Sequence, residues 1–192
     1  IFRTIFYMGF LYIVVYGFYL IFYNFKIEGR NNIPAHKAKA GKYIYAGNHV
    51  SIFDPPMVSM AANCPIAYMA KKELFDPNEK LSWLGIFPQG GTRPYGKLEG
   101  IRKGFAVIAK NAKADIIPVA IANWDGYPKL KPFTRRNVTI KIGKPISYKL
   151  KEDEIIYEWC KQISEMAGYE NCAEIPESYM ATNEESPAKV LN

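Results

Sequence analysis

The residues best suited to chemistry stand together in Asn48-His49-Val50-Ser51-Ile52-Phe53-Asp54. His49 is one of only two histidines in the chain, and Asp54 follows five residues later. A turn can bring that carboxylate back to one imidazole nitrogen. There it would set the tautomer and stabilise the imidazolium, leaving the other nitrogen free as a general base. Such a pair needs no serine or cysteine nucleophile if the attacking group is the hydroxyl of an acceptor. A histidine–aspartate pair beside a helix cap is also a common structural device, so the residue types alone leave both readings open.

The second candidate segment is Phe87-Pro88-Gln89-Gly90-Gly91-Thr92-Arg93-Pro94. Its glycines let backbone N–H groups approach an anion, and Arg93 can grip a phosphate with two parallel hydrogen bonds. Lys97, Arg102 and Lys103 thicken the positive patch. A plain surface turn with a solvated arginine is the alternative.

The elements that must position these groups alternate between strand and helix. Lys42 to Ala46 reads as a strand ended by Gly47, and Pro55-Pro56 opens a helix through Ala62 with Asp54 at its N-cap. Ile66 to Ala70 reads as a second strand. Ile101 to Ala112 carries apolar residues at the helical period. Ile116 to Ala122 is apolar throughout, as a buried strand would be, and Val138 to Ile142 alternates, as a half-exposed one should. Glu152 to Ala167 predicts an amphipathic helix with Gly168 as its stop. The expected fold is α/β, a mixed sheet flanked by helices, with His49 between a strand end and a helix start.

Taken together, the segments resemble one family. Asn48 to Asp54 fits the NHxSxxD form of the HxxxxD block of the lysophosphatidate (1-acylglycerol-3-phosphate) acyltransferases. Met69 to Phe75 is similar to their AKKELF segment and Phe87 to Pro94 to their FPEGTR block. Ile117-Pro118-Val119 matches the proline strand that follows, and Ile142 to Ile146 resembles their late GKPI turn. The blocks stand in family order from about Ile27 to Tyr148. There are two departures. Gln89-Gly90 stands where the family has glutamate, with one extra glycine. Only Asp76 to Ile86 separates the second and third blocks, too short for the family's G-x-x-x-x-x-R block: either this member has lost it or, the reading we prefer, a stretch of the natural chain is absent from this sequence.

The resemblance implies an enzyme moving a fatty acyl group from acyl-CoA or acyl-acyl carrier protein to the sn-2 hydroxyl of lysophosphatidic acid, giving phosphatidic acid. It makes His49 the base and Asp54 its orienting partner. Asn48, Ser51, Lys71, Gly90, Gly91, Thr92 and Arg93 then form the substrate-binding set, with Lys72 a weaker candidate. Backbone N–H groups near Gly90 and Gly91 are expected to receive the oxyanion. No cofactor and no metal are implied, since a thioester is already activated. Rival readings keep the chemistry on another acceptor (glycerol-3-phosphate, a lyso-ornithine lipid, a glycolipid), or make the chain a non-catalytic relative that binds anionic membrane.

Residues Thr4 to Phe25 contain no ionisable side chain other than tyrosine and are long enough to cross a bilayer. Asn24-Phe25-Lys26-Ile27 offers no small-residue cleavage site, which argues against a signal peptide. Five tyrosines in the run suit the headgroup level, so a helix lying in one leaflet fits as well as a full span. Lys26, Arg30, Lys37, Lys39 and Lys42 follow it and only Arg3 precedes, which predicts a cytoplasm-facing catalytic domain. The expected organisation is a membrane-embedded helix over 1–26, an acyltransferase domain over 27–169 and a polar tail over 170–192.

Composition agrees with this division. At 192 residues one domain is expected. The net charge of +7 suits an anionic lipid or a phosphorylated substrate, and also nucleic acid. The aromatic residues cluster in the first 25 positions instead of interleaving with basic ones, which argues against nucleic acid. Three widely spaced cysteines exclude a disulfide framework and a zinc knuckle.

Overall fold

The computed structural model describes residues 13, 17, 21–34, 42–64, 66–68, 83–124, 135–170 and 176. Six strands form one sheet: β1 (Tyr23–Glu28), β2 (Lys42–Gly47), β3 (Ala67–Tyr68), β4 (Trp83–Ile86), β5 (Ala114–Ala122) and β6 (Arg136–Ile142). Among the described residues the α-helices α1 (Asp54–Ala62), α2 (Gly104–Ala112) and α3 (Glu152–Ala167) accompany them, and Ile13, Gly17, Ile21 and Phe22 are helical as well. The strand order is β1-β6-β5-β2-β4-β3. Strands β2, β3, β4 and β5 are parallel; β6 runs antiparallel to β5, and β1 runs parallel to β6. The sheet is mixed, as expected.

Strand β5 is covered on both faces, so its continuous apolar run replaces an alternating one. Ile117, Val119 and Ile121 pack with Met57, Val58 and Ala61 of α1 and with Val138, Ile140 and Ile142 of β6. On the other face Ile116 and Ala120 meet Phe105, Ala106 and Ala109 of α2 and Ile155, Trp159 and Ile163 of α3. Pro118 is tolerated in this central strand because its missing N–H falls where β6 has left the ladder. Gly143 donates to the Pro118 carbonyl at 2.8 Å, and pairing resumes only between Ile116 and Ile146.

Helix α3 has the bounds read from sequence and ends on Gly168 in the left-handed region, φ 73°. One expectation changes. The apolar run read as a membrane helix through Phe25 (segment 1–26) gives way at Tyr23 to strand β1. Its Tyr23, Phe25 and Ile27 pack on the core while Asn24, Lys26 and Glu28 stand on the other face, and Lys26 pairs with Glu28 at 2.7 Å. Period-two alternation governs those residues, and the preceding apolar run hides it. Arg30 donates to the Ala61 and Met60 carbonyls at 3.0 and 3.1 Å, satisfying the C-terminal end of α1. Among the described residues, no helix is long and apolar enough to cross a membrane. Most of 1–22, the segment 69–82 and nearly all of the tail after Glu170 lie outside the described residues, and with them Lys71, Lys72 and residues 76–82 of the short connection before Phe87.

Candidate active site

Strand β2 stops pairing through its backbone at Gly47, and the next side chain continues the ladder. Asn48 accepts from the Ile121 N–H at 2.7 Å and donates to the Ile121 carbonyl at 3.1 Å. It also donates to the Tyr169 hydroxyl at 3.2 Å. The main chain can then leave the sheet while remaining attached to β5, and His49 is the first residue past that departure. Asn48 is fully buried and its amide is committed to this splice, so its role is to hold the scaffold, not to face a substrate as the resemblance implied.

His49 is clamped on both sides of its peptide by the glycine-containing loop. Its N–H donates to Gln89 Oε1 at 2.8 Å, and its carbonyl accepts from the Arg93 N–H at 2.8 Å. The imidazole stacks on Phe87, with ring centroids 4.2 Å apart and planes 19° from parallel. Phe87 in turn stacks on Tyr68 at 5.6 Å. Gly47 permits this, since a Cβ there would meet Phe87 Cε1 at 3.2 Å. Tyr68 donates to the Pro55 carbonyl at 2.7 Å, and burial holds its phenol protonated, well above the usual tyrosine range. The histidine ring is thus fixed by packing as well as by its polar partner.

That partner is Asp54, as expected. His49 Nδ1 lies 2.9 Å from Asp54 Oδ2. The same oxygen accepts from the N–H groups of Val50 at 2.6 Å and Ser51 at 2.8 Å. Asp54 is therefore not the N-cap of α1, as the sequence suggested. Phe53 occupies that position without a side-chain bond, and the carboxylate turns backwards to close the loop 49–54. Ser51 helps close it: its carbonyl accepts from the Asp54 N–H and its hydroxyl from the Phe53 N–H. Like Asn48, it is buried, and its described bonds shape the turn. With Nδ1 facing an acceptor, the ring donates there, and Nε2 makes no hydrogen bond among the described residues. The ring keeps partial exposure, 17% of its side chain, while Asp54 has none.

The other carboxylate oxygen holds a residue that the sequence reading missed. Trp124, two residues past the end of β5, donates its indole N–H to Asp54 Oδ1 at 2.9 Å. Nothing in the local sequence marks it; the only signal is an aromatic donor just beyond a central strand on the same sheet end as His49.

In the glycine loop, the Gly90 N–H donates to the Phe87 carbonyl at 2.9 Å, so it is not free for an oxyanion as expected. Gly90 contributes space instead: its φ is +66°, and the Arg102 side chain lies where a Cβ would stand. Gly91 has open surroundings. Thr92 is exposed, and its carbonyl accepts from Arg93 Nη1 at 3.3 Å. The Arg93 guanidinium also donates to the Gln89 carbonyl at 3.3 Å and lies against Gly100. Two guanidinium groups therefore border one turn. Among the described residues, no group of three or more metal-ligating side chains is assembled.

A buried, fully bonded carboxylate behind a partly open imidazole, at the C-terminal ends of parallel strands, defines an α/β acid–base site. Residues 24–84 match the model of the Acyltransferase family. No curated protein matches it in sequence. Among solved structures, its fold is similar to the crystal structure of the 1-acyl-sn-glycerophosphate (LPA) acyltransferase PlsC from Thermotoga maritima. The TM-score is 0.56 at 23% identity, over 76% of this chain and 73% of that one.

Proposed function

We propose that this acyltransferase moves a fatty acyl group from acyl-CoA or acyl-acyl carrier protein to the sn-2 hydroxyl of lysophosphatidic acid, producing phosphatidic acid. The observation that carries this reading is the His49–Asp54 pair, with Nδ1 bound at 2.9 Å and Nε2 left for a substrate proton. In the proposed reaction Nε2 takes the proton of the acceptor hydroxyl as its oxygen attacks the thioester carbonyl. The C–S bond then breaks, and the departing thiolate recovers the proton from His49. Asp54 stabilises the transient imidazolium and prevents the ring from turning. Arg93 is the proposed phosphate ligand, with Gly91 the remaining glycine whose N–H is a candidate for the carbonyl oxygen.

The substrates are lipids, and the site's setting supports a location at the bilayer surface. Strand β1 runs against β2, so the chain before Tyr23 leaves the sheet at the end where His49 stands. On the turn between His49 and Asp54, Ile52 is 79% exposed, and Ile21 is exposed as well. We place the N-terminal segment in the membrane and the catalytic domain on its cytoplasmic face.

The test is incubation of membranes containing the protein with lysophosphatidic acid and labelled oleoyl-CoA or oleoyl-acyl carrier protein. Labelled phosphatidic acid is expected, with a loss of about 10²–10⁴-fold in His49→Ala. Near-normal activity of that variant would remove His49 as the base. Product with glycerol-3-phosphate or a lyso-ornithine lipid alone would reassign the acceptor.

A further inference from the structure

Three of the four donors to Asp54 come from its own turn or from His49, and all three address one oxygen, Oδ2. The fourth comes from 70 residues away in sequence and addresses Oδ1 alone. Trp124 is itself buried at 1% exposure, and Tyr23 meets it edge-on at 5.4 Å with the rings 81° apart. The indole is thus oriented by the sheet edge where the N-terminal segment arrives. Without its N–H, Oδ1 would be a buried carboxylate oxygen with no donor among the described residues.

We propose that Trp124 is a positioning residue for the dyad, holding the outer oxygen of Asp54 so that the inner one stays on His49 and carries a moderated charge. The catalytic consequence rests on the acyl-transfer reading; the positioning does not. A hydrogen bond to a carboxylate draws charge from it, and a carboxylate relieved of that bond stabilises a neighbouring imidazolium more strongly. Among the described residues, the other titratable or charged groups near the pair include Tyr68 from β3, Tyr169 from beyond α3, Tyr23 from β1 and Arg93 from the glycine loop. Burial pushes the Tyr68 and Tyr169 phenols up, so both stay neutral.

Trp124→Phe in the full chain keeps the ring and deletes the donor. The acid limb of its kcat/KM profile is expected to move to higher pH by roughly 0.3–1 unit. At neutral pH kcat should fall about tenfold, the share of one charge-assisted bond, with KM for both substrates held within about twofold. The chain has two histidines, His36 and His49, so nitrogen-labelled histidine follows the ring directly without substrate. Its titration should move with the acid limb. A titration and acid limb that coincide with those of the parent, even with lowered thermal stability, would overturn the proposal and leave Trp124 a packing residue. If the variant does not fold, the unaltered protein decides. Its Trp124 indole resonance should shift in step with protonation of His49, whereas Trp159, whose indole donates to the Ala46 carbonyl at 2.9 Å, serves as the control. A flat Trp124 resonance overturns the proposal. A shifted His49 titration in a protein that acylates no acceptor would instead sink the acyl-transfer reading and keep the positioning.

Discussion

Replacing Asp54 by asparagine should create a conflict that a second substitution relieves. The asparagine amide has one oxygen, and three donors converge on the Oδ2 position against one at Oδ1. The oxygen must therefore face His49, Val50 and Ser51, which turns the new NH2 group towards the Trp124 indole N–H. Two donors then meet in a site where Trp124 is 1% exposed and Asp54 fully buried. An unsatisfied buried donor costs about 1–3 kcal/mol. In Trp124→Phe alone, the opposite fault appears: Oδ1 loses its donor, at a similar cost. In the double variant the donor–donor clash and the bare carboxylate oxygen are both gone, and only one amide N–H is left without an acceptor. Asp54→Asn with Trp124→Phe should thus be less destabilised than the sum of the single changes by about 1–3 kcal/mol. Denaturant unfolding of the four proteins under identical conditions measures this, and the corresponding midpoint differences in heat are about 2–4 °C per kcal/mol for a chain of this size. Additivity within about 0.5 kcal/mol would refute the reasoning, since it would mean that the indole and the carboxylate do not share a hydrogen bond.

Asn48→Ala deprives both the N–H and the carbonyl of Ile121 of their partner, and a loss of about 2–4 kcal/mol in unfolding free energy is expected, read as a lower denaturant midpoint. Arg93→Ala should raise KM for a phosphorylated acceptor about tenfold or more with little change in the KM of the acyl donor, measured by varying each substrate in turn; equal KM values for parent and variant would remove Arg93 from the phosphate site.

Much of the architecture was legible because burial leaves a pattern. The unbroken apolar run of β5 and the 3.6-residue period of α3 each identify their element directly, and both match the structure. The His49–Asp54 contact was legible from the spacing, because a five-residue separation at a strand end permits one tight turn. Strand β1 was not, since its alternation is continuous with a longer apolar run. Strand β4 carries only Trp-Leu-Gly-Ile, and its glycine serves a tertiary need: the Tyr68 ring lies where a Gly85 side chain would stand. Trp124, Gln89 and the Asn48 splice were illegible for one shared reason. Each acts through a partner 40 or more residues away, and local periodicity carries no record of such pairs.

Gln89 shows how a departure from the family's pattern can be accommodated. Its oxygen holds the His49 N–H at 2.8 Å, and its nitrogen donates to the Lys97 carbonyl at 3.3 Å, with the side chain 1% exposed. A carboxylate could serve the first partner, but facing the second it would set one oxygen against another. Glutamine therefore matches this loop, and the loop's link to His49 does not depend on charge. The negative charge at the dyad comes from Asp54 alone among the described side chains bonded to His49, and the guanidinium groups of Arg93 and Arg102 lie beside Gly100 and Gly90. What the glycine loop contributes is geometry: through Gln89 and the Arg93 N–H it fixes both ends of the His49 peptide, so that His49 and Arg93 are placed by the same eight residues.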